Sequence, residues 1–275
     1  MRPWPCFLAV LISLSAQGQT SHGTAIMWIN DSYEIVIAAD SKVVSSTSVI
    51  KTDGSIVPIA RPAAYDACKL RAVGRTVVGV AGTVGVSGIK SVLDLDMREI
   101  GRAQSRDELL AGIEKWLNRT MVLYRQAISD DPRSFDELSR KNRGSIFFQA
   151  TFVSFDHAGV LLHYTSEASY SPDIGIRIHT APVTGEGFGG IGEMKPLQEG
   201  ADGHVKADLN TMLLSAKTTP ERAAALQRAI GKIASDSEGR ESVGGHIDVV
   251  RITRDQITPL DIKPECSQYF AKAYR

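Results

Sequence analysis

Two β-type runs, Thr24 to Ile29 and Glu34 to Ala39, stand on either side of Asn30-Asp31-Ser32, residues that tolerate the unusual backbone angles of a tight turn. They read as a hairpin. A polar stretch rich in Ser and Thr, with Asp53-Gly54 and the prolines Pro58 and Pro62, then leads to strands at Lys69 to Val73 and Thr76 to Ala81 around the turn Gly74-Arg75. Beyond Gly85 the apolar residues Ile89, Val92, Leu93, Leu95, Met97 and Ile100 fall mostly at helical spacing. A second helix reads from Asp107 through Trp116 to Leu123, with Ser105 as its cap.

Strands resume at Ser145 to Phe155, Val160 to Thr165 and Ile174 to His179. A late helix starts at Thr219, whose hydroxyl is placed to cap it, with Pro220 in its first position and Ala223, Leu226, Ile230 and Ile233 down one face. A last strand, His246 to Thr253, follows Gly244 and Gly245. The order is strands, two helices, strands, helices, strand. It predicts an α+β, four-layer αββα sandwich: two mainly antiparallel sheets packed face to face with helices outside.

With 43% hydrophobic and 23% charged residues in 275, the chain has material for one well-buried core. Lys plus Arg equal Asp plus Glu at 31 each, which argues against nucleic acid or an anionic membrane as partner. The first residues differ in kind: Arg2, the apolar stretch Cys6 to Leu14, then Ser15-Ala16-Gln17-Gly18, the order of an export signal. Cleavage after Gly18 is expected, giving an exported protein, periplasmic or secreted. No later segment is apolar for the ~20 residues that span a bilayer. The domain reading is a signal peptide at 1–18, a short propeptide at 19–23, one domain at 24–260 and a C-terminal tail at 261–275.

Removing the signal leaves Cys68 and Cys266, which an oxidising compartment joins only if the fold brings them together; two ordinary thiols fit the sequence equally well. No Cys-x-x-Cys or His-x-x-x-His spacing points to metal, and none of His22, His157, His163, His179, His204 and His246 has ligand spacing. Gly185-Glu186-Gly187-Phe188-Gly189-Gly190 matches a dinucleotide fingerprint in letters, but it lacks the βαβ unit that gives the pattern meaning, and Pro196 interrupts any helix after it. No cofactor is expected.

Four ordered pieces carry a resemblance: Gly23-Thr24 before a strand; Ile37-Ala38-Ala39-Asp40-Ser41-Lys42 closing the second; Lys69-Leu70 opening the third; and Val80-Ala81-Gly82-Thr83-Val84-Gly85 ending the fourth. With Asp40 standing 16 residues after Thr24 and Ile247 to Thr253 as a late strand, the chain resembles proteasome β-type subunits and their bacterial relatives, which are N-terminal-nucleophile hydrolases. The resemblance implies that Thr24 becomes a nucleophile once everything before it is removed, with Asp40 and Lys69 beside it and the Gly82 N–H facing the oxyanion.

The chemistry asks for such groups independently. A threonine hydroxyl needs a base, and a free α-amine with pKa near ~8 on the same residue can be that base. A Lys ammonium tunes that amine and stabilises developing negative charge, and a carboxylate holds the Lys. A glycine N–H approaches an oxyanion closely because no side chain intervenes.

The match has departures. The family places an aspartate and a serine before the Gly-rich turn of the penultimate strand, whereas this chain has Arg240-Glu241-Ser242-Val243-Gly244, so Glu241 and Ser242 serve only with a one-residue shift. Glu186 falls where another supporting serine is expected. The stretch between Asp40 and Lys69 is long and reads as a lid or assembly contact. Three functions fit: a threonine peptidase on peptides or small proteins, an amidase for a non-peptide amide, and an inactive binding or assembly subunit. The substrate is thus a peptide or amide, and the family's rings allow a homo-oligomer.

Overall fold

The computed structural model describes residues 19–22, 24–50, 56–58, 63–82, 85–86, 91–130, 146–199, 204–236 and 243–271. The expected hairpin forms as β2 (Ala25–Asn30) and β3 (Glu34–Asp40), preceded by a short strand β1 (Gln19–His22). After it come β4 (Lys42–Ile50), β5 (Ile56–Pro58), β6 (Ala63–Asp66), β7 (Leu70–Val73), β8 (Thr76–Gly82) and β9 (Gly85–Val86). Helices α1 (Arg98–Arg102) and α2 (Arg106–Asp130) precede β10 (Ile146–Phe155), β11 (Leu161–Ser171), β12 (Gly175–Pro182) and β13 (Gly187–Gly192). The small pair β14 (Gln198–Glu199) and β15 (His204–Val205) leads to α3 (Ala207–Ser215), α4 (Thr219–Ser235), β16 (Ile247–Thr253) and β17 (Ile257–Asp261).

Two five-stranded antiparallel sheets make the body, ordered β13-β2-β3-β16-β17 and β12-β11-β10-β8-β7. Because successive strand residues point to opposite faces, each sheet buries two sets of side chains. Ile26, Trp28, Ile35 and Ile37 meet Leu70, Val77, Val153 and Phe155 between the sheets. Met27, Ile29, Val36 and Val249 turn outward against Leu209 and Leu213 of α3 and Leu226, Ile230 and Ile233 of α4. On the far side, Val78, Val80, Phe148 and Phe152 pack against Ile113, Trp116 and Leu117 of α2. Every residue of β2 and β3 is buried, so no polar face interrupts those runs. This is the αββα sandwich the element order predicts.

The apolar run before residue 100 folds differently from the helix its spacing suggests. A 3-10 turn at Val92–Asp94 and the five-residue α1 replace it. Ser91 Oγ accepts from the Leu93 N–H and Asp96 Oδ1 from the Arg98 N–H, and such side-chain bonds offer the backbone an alternative to helix. Val92, Leu93, Met97 and Ile100 are buried all the same. In α2 the cap is as read: Ser105 Oγ accepts from the Glu108 N–H at 3.3 Å.

The late helix has Thr218, not Thr219, at its cap, with the Glu221 carboxylate accepting from the Thr218 N–H. The Thr219 hydroxyl is taken by Glu34, a nearly buried carboxylate that also accepts from Arg222 at 3.0 Å and from Arg251 at 2.7 Å. The second arm of Arg222 reaches Asp31 in the hairpin turn at 2.6 Å. This network fastens α4 and β16 to the start of β3.

Three features have no counterpart in the sequence reading. Strand β13 forms from glycine-rich sequence. The polar stretch after Asp40 supplies β4, β5 and β6 of a third sheet, ordered β5-β4-β1-β9 with β6 also on β4. In the stretch read as a C-terminal tail, β17 ends at Asp261, a 3-10 turn spans Pro264–Tyr269, and Phe270 is buried between the sheets. That turn carries Cys266, joined to Cys68 by a disulfide with Cα atoms 5.5 Å apart. Among the described residues no helix is long and apolar enough to cross a membrane.

Between the sheets, His163 stacks edge-on against Trp28 at 4.7 Å and shares a hydrogen bond of 2.9 Å with Thr151. Burial pushes its pKa down from 6.5 to about 3. Between those values the unfolded chain takes up a proton that the fold refuses, so this residue's contribution is intact above pH 6.5 and lost progressively as pH falls toward 3. Urea unfolding at pH 7.5, 5.5 and 4.5 is expected to show stability falling with acidity, and His163→Gln to flatten that slope. Identical slopes in the two proteins would refute the assignment.

Candidate active site

Thr24 sits at the mouth of β2, 1% exposed. Antiparallel pairing sets Ile26 opposite Ala39, which returns Asp40, at the end of β3, to the same edge. There Asp40 Oδ1 accepts from the Ala25 N–H at 2.8 Å and from Lys69 Nζ at 3.0 Å, while Oδ2 accepts from the Gly244 N–H at 3.0 Å. One carboxylate thus collects the peptide that follows Thr24, the ammonium of Lys69 and the glycine loop before β16.

Lys69 and Asp40 are buried side chains, at 1% and 0% exposure. An ion pair this dry survives only when its remaining hydrogen-bonding capacity is met, and Lys69 Nζ also donates to the Lys42 carbonyl. Lys69 enters from residues 67–69, which belong to no strand. The Ala67 N–H donates to Ser41 O at 2.7 Å, and Lys69 O accepts from the Val80 N–H at 3.2 Å. Lys42 in turn donates its N–H to Gly244 O at 2.9 Å, closing a ring of contacts around the pair.

Gly82 ends β8 with φ +84°, and a Cβ there would lie 2.5 Å from the Phe147 carbonyl oxygen. The position therefore admits only glycine. Gly192, with φ +91°, presses still closer: its Cβ would lie 2.1 Å from the Thr24 carbonyl oxygen and 3.2 Å from Ala81 Cβ. That contact brings the end of β8 to Thr24. Asp40 and Lys69 therefore meet beside Thr24, and Gly192 lies between Thr24 and Ala81, the neighbour of Gly82. Glu241 and Ser242 lie outside the described residues, whereas Val243 beside them is buried under the helices.

Glu186 is not at the site. β13 runs antiparallel to β2 with Gly187 opposite Asn30 and Gly192 opposite Ala25, so Glu186 stands at the hairpin end and accepts from the Ser32 N–H at 3.2 Å. The residue that reaches the threonine is Glu193, whose N–H donates to Thr24 O at 2.7 Å. Gly192 donates its own N–H to Gln149 Oε1 at 2.8 Å. Gln149, Gly192, Glu193 and Gly244 are therefore part of the setting and were not foreseen. A glycine-rich strand shows no alternation to find.

Beyond Gln149 a cavity of about 130 Å³ opens, lined also by Thr165, Glu167, His179 and Ile191. Glu167 pairs with both Gln149 and His179 across neighbouring strands, so the three form a polar row leading away from Thr24. Among the described residues no group of three His, Cys, Asp or Glu side chains could hold a metal. No protein-family model matches the chain, and no curated protein matches it at a significant level.

Gly192 offers a test of this packing. Gly192→Ala must displace the Thr24 carbonyl and also adopt a strained φ, so a loss of about 3 kcal/mol or more is expected. Gly185 has φ +84° with nothing within 4 Å of a built Cβ, so Gly185→Ala is expected to cost only the strain, about 1 kcal/mol. Urea midpoints of the two variants decide it, and equal losses would refute the close approach.

Proposed function

We propose that the chain is an exported N-terminal-nucleophile hydrolase of the proteasome-like kind, cleaving peptide or amide bonds with Thr24 as nucleophile and its own α-amine as base. The observation that carries this reading is the convergence on Asp40 Oδ1 of the Ala25 N–H and the Lys69 ammonium. A buried Lys–Asp pair set against the first residue of a strand has no packing advantage over apolar residues of similar volume. It is what a threonine amine needs beside it for catalysis.

In this mechanism Thr24 Oγ attacks the Gly23 carbonyl carbon, the acyl group shifts from nitrogen to oxygen, and water hydrolyses the ester. The leader departs ending in a carboxylate, and Thr24 is left with a free amine. In each later turnover that amine takes the hydroxyl proton as Oγ attacks a substrate carbonyl and returns it to the leaving amine, and water then hydrolyses the ester, releasing the carboxylic product and restoring the Thr24 hydroxyl. Lys69 keeps positive charge near the developing oxyanion, Asp40 fixes that ammonium, and Gly82 supplies the N–H.

Two further features support parts of the reading. β1 pairs antiparallel with β4, Gln19 opposite Thr47 through His22 opposite Val44, and on its other side with β9. The leader is held as an extended strand between two others, which favours a peptide over a non-peptide amide in the same slot. The disulfide suits an oxidising compartment outside the cytoplasm.

Intact mass of the purified protein is the primary test, and a mature chain beginning at Thr24 is the expected result. Fully active protein that retains Gln19 or Met1 would exclude the mechanism. For the same protein, Lys69→Ala is expected to lower hydrolysis by at least ~10². Lys69→Arg is expected to fail too, since a planar fork cannot replace a compact ammonium in a closed site. Lys115→Ala, at an exposed position, is expected to be neutral. Near-full activity in folded Lys69→Ala protein would overturn the role given to the lysine.

A further inference from the structure

The Cys68–Cys266 disulfide bonds the residue next to Lys69 to a turn 198 residues away in sequence. The two sides of that bond are held very differently. On the Cys266 side, β17 is paired along β16, the Lys263 N–H donates to Asp248 Oδ1 at 2.8 Å, and Phe270 is buried between the sheets. Cys266 itself is fully buried. This side is a fixed post.

On the Cys68 side, residues 67–69 link β6 to β7 outside any strand. Two backbone hydrogen bonds, Ala67 N–H to Ser41 O and Val80 N–H to Lys69 O, hold the link to its neighbours. Taking an ammonium out of water costs several kcal/mol, repaid only where its partners are well placed, so the buried pair tolerates little displacement of the link that carries the lysine. Arg71, stacked over Tyr269 at 4.1 Å, ties the following strand to the same turn but lies two residues beyond the lysine.

We infer that the Cys68–Cys266 disulfide is a positioning element for Lys69, holding the buried ammonium on Asp40, so that the competence of the site depends on the oxidised state of this bond. The inference rests on the role proposed for Lys69, but its first test does not require activity. Reduction of the bond by a dithiol passes two electrons and two protons to the sulfurs, giving the Cys68 and Cys266 thiols and the dithiol's own disulfide. Nothing else on the Cys266 side is altered, so the change falls on the Cys68 link.

Amine acylation mapped by mass spectrometry reads the position of Lys69 directly, with Lys115, 63% exposed, as internal standard. In the oxidised protein Lys69 is expected to be protected. In dithiol-reduced protein, and in the Cys68→Ser/Cys266→Ser double variant, its labelling relative to Lys115 is expected to rise at least ~10-fold while circular dichroism is retained. Protection that persists after two thiols per chain are counted would overturn the inference, whatever the protein's activity.

The second test asks whether the bond acts through the lysine. The Cys68→Ser/Cys266→Ser change is expected to lower kcat at least ~10-fold with KM little changed, and to cost nothing further in a Lys69→Ala background. Equal losses in both backgrounds would make the disulfide merely structural and overturn the inference. Released Lys69 with unchanged kcat would instead uphold the positioning and refute the catalytic role of the lysine.

Discussion

A single buried ion pair organises this end of the molecule. Asp40 and Lys69 are both removed from water, and backbone groups help satisfy the two charges: the Ala25 and Gly244 N–H groups on the carboxylate, the Lys42 carbonyl on the ammonium. Those three partners come from the start of β2, the loop before β16 and the first residue of β4, and Lys69 itself from the link before β7. Segments far apart in sequence are thereby drawn to one point. The sheets would pack without this pair, since their shared core is apolar, but the open edge between them would not be set in one arrangement.

Much of this was legible from residue types and order. The hairpin, the strands around Gly74-Arg75, the long α2 and the late strand all follow from period, turn residues and caps. Asp40 and Lys69 stand out only through the resemblance, by their order and spacing after Thr24; taken singly they read as a turn residue and a solvated lysine. The pairing that returns the end of β3 to the start of β2 is what brings Asp40 beside Thr24, and Lys69 arrives from a link just before β7.

What escaped has physical causes. Gly192 and Glu193 act through backbone groups, and backbone N–H positions leave no mark in side-chain patterns. β13 carries glycines where a strand normally shows alternation, because Gly189 lies under Trp28 and Gly192 under the Thr24 carbonyl. The third sheet is built from Ser- and Thr-rich sequence whose β-propensity is blurred by turn residues. The Thr219 hydroxyl, read as a helix cap, bonds Glu34 instead, a partner 185 residues away that no local pattern announces. The cysteine pair needed a distance that only the fold supplies.

β3 ends in a carboxylate at both extremities, Glu34 at one and Asp40 at the other, each almost wholly buried. The cations that answer them differ in kind. Glu34 is met by two guanidinium groups, Arg222 and Arg251, planar forks carried on α4 and β16. Asp40 is met by one compact ammonium on a flexible stem, carried by a link that belongs to no strand. One strand therefore has one end clamped between regular elements and the other answered by a single side chain. A change at the Lys69 link can alter the edge while the scaffold that presents it stays in place.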